Sequence, residues 1–172
     1  MTYGLTSQRN ALMTLTVRPA RPADVGLILG FIRELAEYEK LLHEAQASEA
    51  DIAAMLFAPH PRGFCDIAEL DGAPVGFALW FYNLSTFTGR HGIYLEDLYV
   101  RPAARGAGAG KALLAQLAKR CVDEDLTRLD WAVLNWNAPS IAFYDSLDAG
   151  KQDEWTVRRL TGEALARLAA TS

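Results

Sequence analysis

The sequence predicts an α/β domain: a mixed, mostly antiparallel sheet with a central parallel β-α-β crossover and flanking helices. Three observations predict it. Short runs rich in β-branched and aromatic residues alternate with runs whose apolar residues recur at helical spacing. Asp71-Gly72 separates two strand-like runs, FCDIAEL and PVGFALWFY, a strong sequence signal for a tight hairpin. Finally, GIYLEDLYV (92–100) leads through a glycine-rich loop and a helical run to RLDWAVL (128–134), and strands joined through a helix run parallel.

Taken in order, TLTVRPA (14–20) reads as the opening strand. Asp24 is placed to cap a helix whose apolar positions are Val25, Ile28, Leu29, Ile32, Leu35 and Ala36. Ser48 and Asp51 form a capping-box pattern before Ile52, Met55 and Leu56. The hairpin strands and GIYLEDLYV follow, then a helix over 108–124 with Leu113, Leu114, Leu117 and Cys121 on one face. After RLDWAVL, NAPSIAFYDSL (137–147) opens with an Asn cap, and Pro139 is tolerated in the first turn. WTVRRL (155–160) is expected to be the last strand, and GEALARLAA a short closing helix.

With 172 residues, 51% of them hydrophobic, the chain can bury one proper core, and no repeat or linker divides it. One domain is expected over 13–172. Residues 1–12, MTYGLTSQRNAL, lack the basic start and apolar stretch of a secretion signal and are expected to be a flexible extension, with Met13 an alternative start. A net charge of -4 gives no nucleic-acid footprint, and no apolar run reaches membrane-spanning length. Cys65 and Cys121 do not form a disulfide framework, so the cytoplasm is the expected compartment. His43, His60 and His91 have no metal-ligand spacing, and no metal is expected.

The chemistry centres on Arg105-Gly106-Ala107-Gly108-Ala109-Gly110-Lys111. Glycines let backbone amides approach a ligand, and a helix N-terminus with bare amides accepts phosphate. Two phosphate loops fail by spacing. A nucleotide-hydrolysing loop needs Gly where Arg105 stands and Ser or Thr where Ala112 stands. A dinucleotide fingerprint needs Gly at the place of Lys111. What fits is Arg/Gln-x-x-Gly-x-Gly/Ala after a strand.

That loop resembles the pyrophosphate loop of the GCN5-related N-acetyltransferase (GNAT) superfamily. YLEDLYVRPAARGAGAGKALL, LNWNAPSIAFY, ELAEYEKL, YNLSTFTGR and GEALARLA resemble, more narrowly, the spermidine/spermine (diamine) acetyltransferases and especially their thialysine-acetylating relatives. The resemblance spans roughly residues 14 to 170 and matches least in the 60s and in 148–155, where LDAGKQDEW is shorter than the family's loop. It implies a GNAT-like domain that uses acetyl-CoA as co-substrate to acetylate a small primary amine. It also implies a homodimer whose C-terminal segment around Trp155 reaches the partner.

The resemblance assigns roles residue by residue. Tyr144 matches the catalytic Tyr that protonates the departing thiolate; on spacing alone it is a half-buried aromatic. Glu96 matches the carboxylate that helps take the proton from the amine through water, and Asp97 a weaker substrate contact. Strand alternation would send these two side chains to opposite faces, and a local salt bridge or a bulge would also explain carboxylates there. Leu98, Tyr99 and Val100 match the main chain that pairs with pantetheine. Residues Arg105 to Lys111 match the pyrophosphate contacts. Asn137 and Ser140 match further cofactor contacts, and Asn137 serves equally as a helix cap. Tyr38, Glu39 and Glu154 match substrate contacts, and Ser85 with Thr86 resembles the thialysine-type members; each is otherwise a polar surface position. Acidic residues thus gather on substrate segments, and Arg101, Arg105 and Lys111 on cofactor segments. Neither cysteine has an adjacent base, which favours direct attack within a ternary complex. Two alternatives stay open: a protein or peptide amine as acceptor, and a coenzyme A-binding module without turnover.

Overall fold

Asp71 and Gly72 both take positive φ, 51° and 79°, as a two-residue hairpin turn requires. They join β2 (Phe64–Leu70) to β3 (Ala73–Ser85) in the computed structural model, which describes residues 13–171. The extension expected over residues 1–12 lies outside the described residues. On one side β2 pairs antiparallel with β1 (Leu15–Pro19); on the other β3 pairs antiparallel with β4 (Arg90–Val100). A parallel ladder then joins β4 to β5 (Leu129–Trp131) through α3 (Ala109–Asp123). The sheet order is β1-β2-β3-β4-β5, so the expected mixed, mostly antiparallel sheet with one parallel crossover is what the chain forms.

Helices cover both faces. α1 (Val25–Tyr38) and α2 (Glu49–Phe57) bury Ile28, Leu29, Phe31, Ile52 and Leu56 against Ile67, Phe77, Leu79 and Tyr99. Trp80, the neighbour of Leu79, points the other way, and Arg120 of α3 lies over its ring. On that face α3 buries Leu113, Leu114, Leu117 and Cys121, the stripe expected from its spacing. The capping box forms: Ser48 Oγ accepts from Asp51 N at 3.3 Å, and Asp51 accepts from Ser48 N at 2.9 Å. Asp24 does not cap α1, which begins with no side-chain cap. Its carboxylate instead accepts from Arg21 N at 2.7 Å and from both terminal nitrogens of Arg18, because a short turn over Pro22–Asp24 precedes the helix.

The chain divides into two compact units, Met1–Ala132 and Val133–Ser172. The first holds the sheet with α1 to α3. The second contains α4 (Ala138–Asp145) and α5 (Gly162–Ala169). Two expectations fail here. The strand expected over 128–134 is only Leu129–Trp131, and WTVRRL (155–160) forms no strand. Trp155 is 74% exposed and Val157 83% exposed. Strand-type residues make a strand only where a partner edge and an apolar face meet them, and among the described residues no strand pairs with 155–160.

Candidate active site

The loop after β4 has the conformation a phosphate grip needs. Gly106 and Gly108 take φ of 83° and 86°, where a side chain would strain the backbone. Gly108 is the N-cap of α3 and no side chain caps it. The first intrahelical bond runs from Ala112 N to Gly108 O at 2.9 Å, so the amides of Ala109, Gly110 and Lys111 have no intrahelical acceptor. These amides, the helix dipole and the exposed Lys111 make one anion-attracting point.

Beside it, β4 loses a neighbour. Its ladder with β5 covers only Ile93, Tyr94 and Leu95, while pairing with β3 continues to Val100. From Glu96 to Val100 one edge of β4 is therefore outside any ladder. An amide-bearing ligand is the natural partner for such an edge. Leu98, Tyr99 and Val100 lie along it.

The register shifts at this same place. Leu79 stands opposite Asp97 and Trp80 opposite Leu95, which leaves Glu96 as the extra residue of a β-bulge. Simple alternation therefore fails here, and the reason is geometric. Leu95 and Asp97, two apart in sequence, pair with adjacent residues of β3 and so lie on opposite faces. Asp97 shares the face of Leu79 and the α1–α2 core, while Glu96 is exposed. Burial, then the charges of Glu96 and Glu39, push the Asp97 carboxyl up to about 7. Burial also raises Glu39 at the end of α1. The charges of two carboxylates thus bear on Asp97, one from β4 itself and one from the end of α1.

Cofactor-assigned and substrate-assigned residues meet at Tyr38. The Arg105 guanidinium lies 4.9 Å from the centre of the Tyr38 ring, and Arg105 Nε donates to Val100 O at 3.1 Å. Arg101, grouped by sequence with the cofactor cations, is tied instead to Glu34, with Nη2 donating at 2.8 Å. The Arg101 guanidinium bonded to it holds the Glu34 carboxyl below its usual range. Ser85 and Thr86 lie elsewhere in this unit, at the tip of the β3–β4 hairpin. Ser85 is six residues along β3 from Leu79, the partner of Asp97, which at 3.3 Å per residue is about 20 Å.

In the second unit, Asn137 caps α4, its Oδ1 accepting from Ser140 N at 3.3 Å. Tyr144 stands one turn beyond Ser140 on the same helix face, half-buried, with its ring 5.3 Å from that of Phe143. Glu154 is exposed. Both cysteines, one on β2 and one on α3, are free and buried, and burial pushes both thiols up.

Sequence reasoning ranked Glu96 above Asp97 and missed the contact between Arg105 and Tyr38. Two consecutive carboxylates inside an apolar strand were the available sign that alternation breaks. No spacing rule could have placed the end of α1 against the loop after β4.

Comparison with known proteins agrees with this geometry. A model of the acetyltransferase (GNAT) family matches residues 29–148. Thialysine N-epsilon-acetyltransferase of Sus scrofa is 37% identical over 169 residues, covering 92% of this chain and 99% of that protein. L-ornithine N5-acetyltransferase of Arabidopsis thaliana is 29% identical over 205 residues, covering 93% and 90%. Among solved structures, an integron cassette protein from the mobile metagenome of V. cholerae has a TM-score of 0.76 at 28% identity, covering 90% of this chain and 97% of that one. A glycine loop at a bare helix start, a strand freed from its neighbour beside it, and a family match over most of the length lead to one conclusion: the chain belongs to the GNAT family and is an N-acetyltransferase.

Proposed function

We propose that the protein acetylates the primary amine of a small molecule from acetyl-CoA, a thialysine-like amino acid first, with diamines and polyamines next. One observation carries the proposal: acceptor-less amides at the start of α3 adjoin the open edge of β4. Together they fit a ligand that joins a diphosphate to an amide-bearing arm. The relatives named for thialysine N-epsilon and ornithine N5 acetylation support a side-chain amine as acceptor.

Acetyl-CoA supplies an acetyl group activated as a thioester. Residues Arg105, Gly106, Ala107, Gly108, Ala109, Gly110 and Lys111 hold its pyrophosphate. The main chain of Leu98, Tyr99 and Val100 pairs with its pantetheine arm, and Asn137 and Ser140 add contacts. The ammonium of the acceptor meets Tyr38, Glu39, Glu96 and Asp97, with Glu154, Ser85 and Thr86 serving the rest of the molecule. One ammonium proton passes to the carboxylates, through water at Glu96, so that the free amine attacks. A group titrating near neutrality is an effective acceptor, and Asp97 at about 7 suits this task. Tyr144 gives its phenolic proton to the departing thiolate and regains one from the nitrogen. Direct transfer is favoured because both thiols are buried and held protonated.

The same reading includes one acetyltransferase domain over 13–172, a cytoplasmic protein and a homodimer. Free buried cysteines support the compartment. Exposed Trp155, Val157 and Leu160, with Leu165 and Leu168 of α5, support a second copy of the chain as their cover. Calorimetric titration with acetyl-CoA tests the binding half. Saturable heat, with affinity weakened in Lys111→Ala, is expected; no heat from folded protein would overturn it.

A further inference from the structure

Arg105 serves two places at once. It opens the glycine loop, yet its guanidinium rests on the ring of Tyr38, 4.9 Å from the centre, and its Nε donates to Val100 O at 3.1 Å. Its charge is also felt at Tyr99, and it has no carboxylate partner among the described residues. It is exposed, at the mouth of the anion-attracting loop. An exposed cation on one ring face and a single neutral carbonyl is held weakly beside what a phosphate offers, namely paired charge-assisted bonds. A diphosphate on the loop therefore outcompetes both contacts.

The ring it covers sits where a cation is wanted. Tyr38 is followed by Glu39, whose charge is felt at Asp97, which in turn feels Glu96. An aromatic face next in sequence to one carboxylate, whose charge reaches a second, suits an ammonium, and one ring face takes one cation. Val100 O belongs to the open-edged stretch of β4 as well.

We infer that Arg105 couples the two substrates: on Tyr38 it holds the face that the acceptor's ammonium needs, and a diphosphate on the loop draws it away. The inference rests on the reading under Proposed function. It gives coenzyme and amine positive coupling, which must be reciprocal. It also makes Arg105 more than a phosphate contact, because removing it frees the amine subsite while weakening the coenzyme subsite.

Calorimetry with coenzyme A and thialysine as the probes tests this without turnover. In the wild type, saturating coenzyme A is expected to tighten thialysine by about tenfold, and thialysine to tighten coenzyme A by the same factor. Arg105→Gln is expected to bind thialysine alone as tightly as the wild type does with coenzyme A, with coupling below about twofold. Arg105→Lys keeps the charge without the planar fork and is expected to fall between. Tyr38→Leu is expected to lose thialysine affinity in both states. Full coupling retained in Arg105→Gln would overturn the inference, as would its absence from a wild type that binds coenzyme A and acetylates thialysine. A wild type that does neither overturns the functional reading as well. Because Arg105 is exposed, circular dichroism matching the wild type is expected for its variants.

Discussion

Glu39, just past the end of α1, is close enough to Asp97 on β4 for its charge to oppose ionisation of Asp97. Two elements far apart in sequence thus bring like charges together, an arrangement a fold selected for stability alone would avoid. A bound cation would relieve it.

The first expectation concerns stability. The folded protein holds Asp97 protonated up to about 7, whereas the unfolded chain ionises it in the ordinary carboxylate range. Its contribution is fully present below that range and is lost as pH rises through about 7, a loss bounded by on the order of 4 kcal/mol. Asp97→Asn should therefore melt several degrees above the wild type at about pH 8 and match it at about pH 4. Thermal melts across that range check it, and a variant less stable at high pH would contradict it.

Removing the Asp97 carboxylate should also lower turnover by about a hundredfold or more, the usual scale for a proton acceptor. The acid limb of the pH–rate profile should flatten with it. Glu96→Gln should lower turnover and keep that limb but move it to lower pH, because the Glu96 charge helps hold Asp97 up. Steady-state thiol release at a series of pH values separates the two carboxylates.

Tyr144→Phe keeps the ring and removes the proton. Turnover should fall by about a hundredfold or more while coenzyme affinity stays within about twofold. Equal turnover in the two proteins would remove Tyr144 from the chemistry.

Gly108 holds a φ of 86° at the start of α3, and a Cβ there would meet only Leu15 Cδ2 at 3.8 Å. Space is available, so the cost of Gly108→Ala is backbone strain, about 1–2 kcal/mol. Urea denaturation should show that loss, and coenzyme affinity should fall with it.

Trp155→Ser with Val157→Ser should shift the protein from dimer to monomer in sedimentation velocity. The helices and sheet should remain, because neither residue belongs to a helix or strand. An unchanged sedimentation coefficient would remove this segment from the interface.

The sheet, its hairpin and its crossover were legible because they rest on local signals. The Asp71-Gly72 turn, the Ser48–Asp51 box and the α3 stripe each decide their element within a few residues. The conformation of the glycine loop was legible for the same reason, since it is written in backbone freedom. WTVRRL misled because its β-type residues describe a surface that needs covering, and among the described residues no strand pairs with it. Asp24 misled because Arg18, six residues earlier, claims its carboxylate. The contact of Tyr38 with Arg105 and the charge of Glu39 felt at Asp97 depend on α1 packing beside β4, and proximity at that range leaves no mark in the local pattern.

The central claim is acetyl transfer from acetyl-CoA to a small primary amine. Its most direct test mixes the folded protein with acetyl-CoA and thialysine and follows free thiol together with the mass of the amine. Saturable thiol release matched by acetylated thialysine is the expected result. No thiol above the amine-free control, with thialysine, diamines and polyamines alike, would contradict the account.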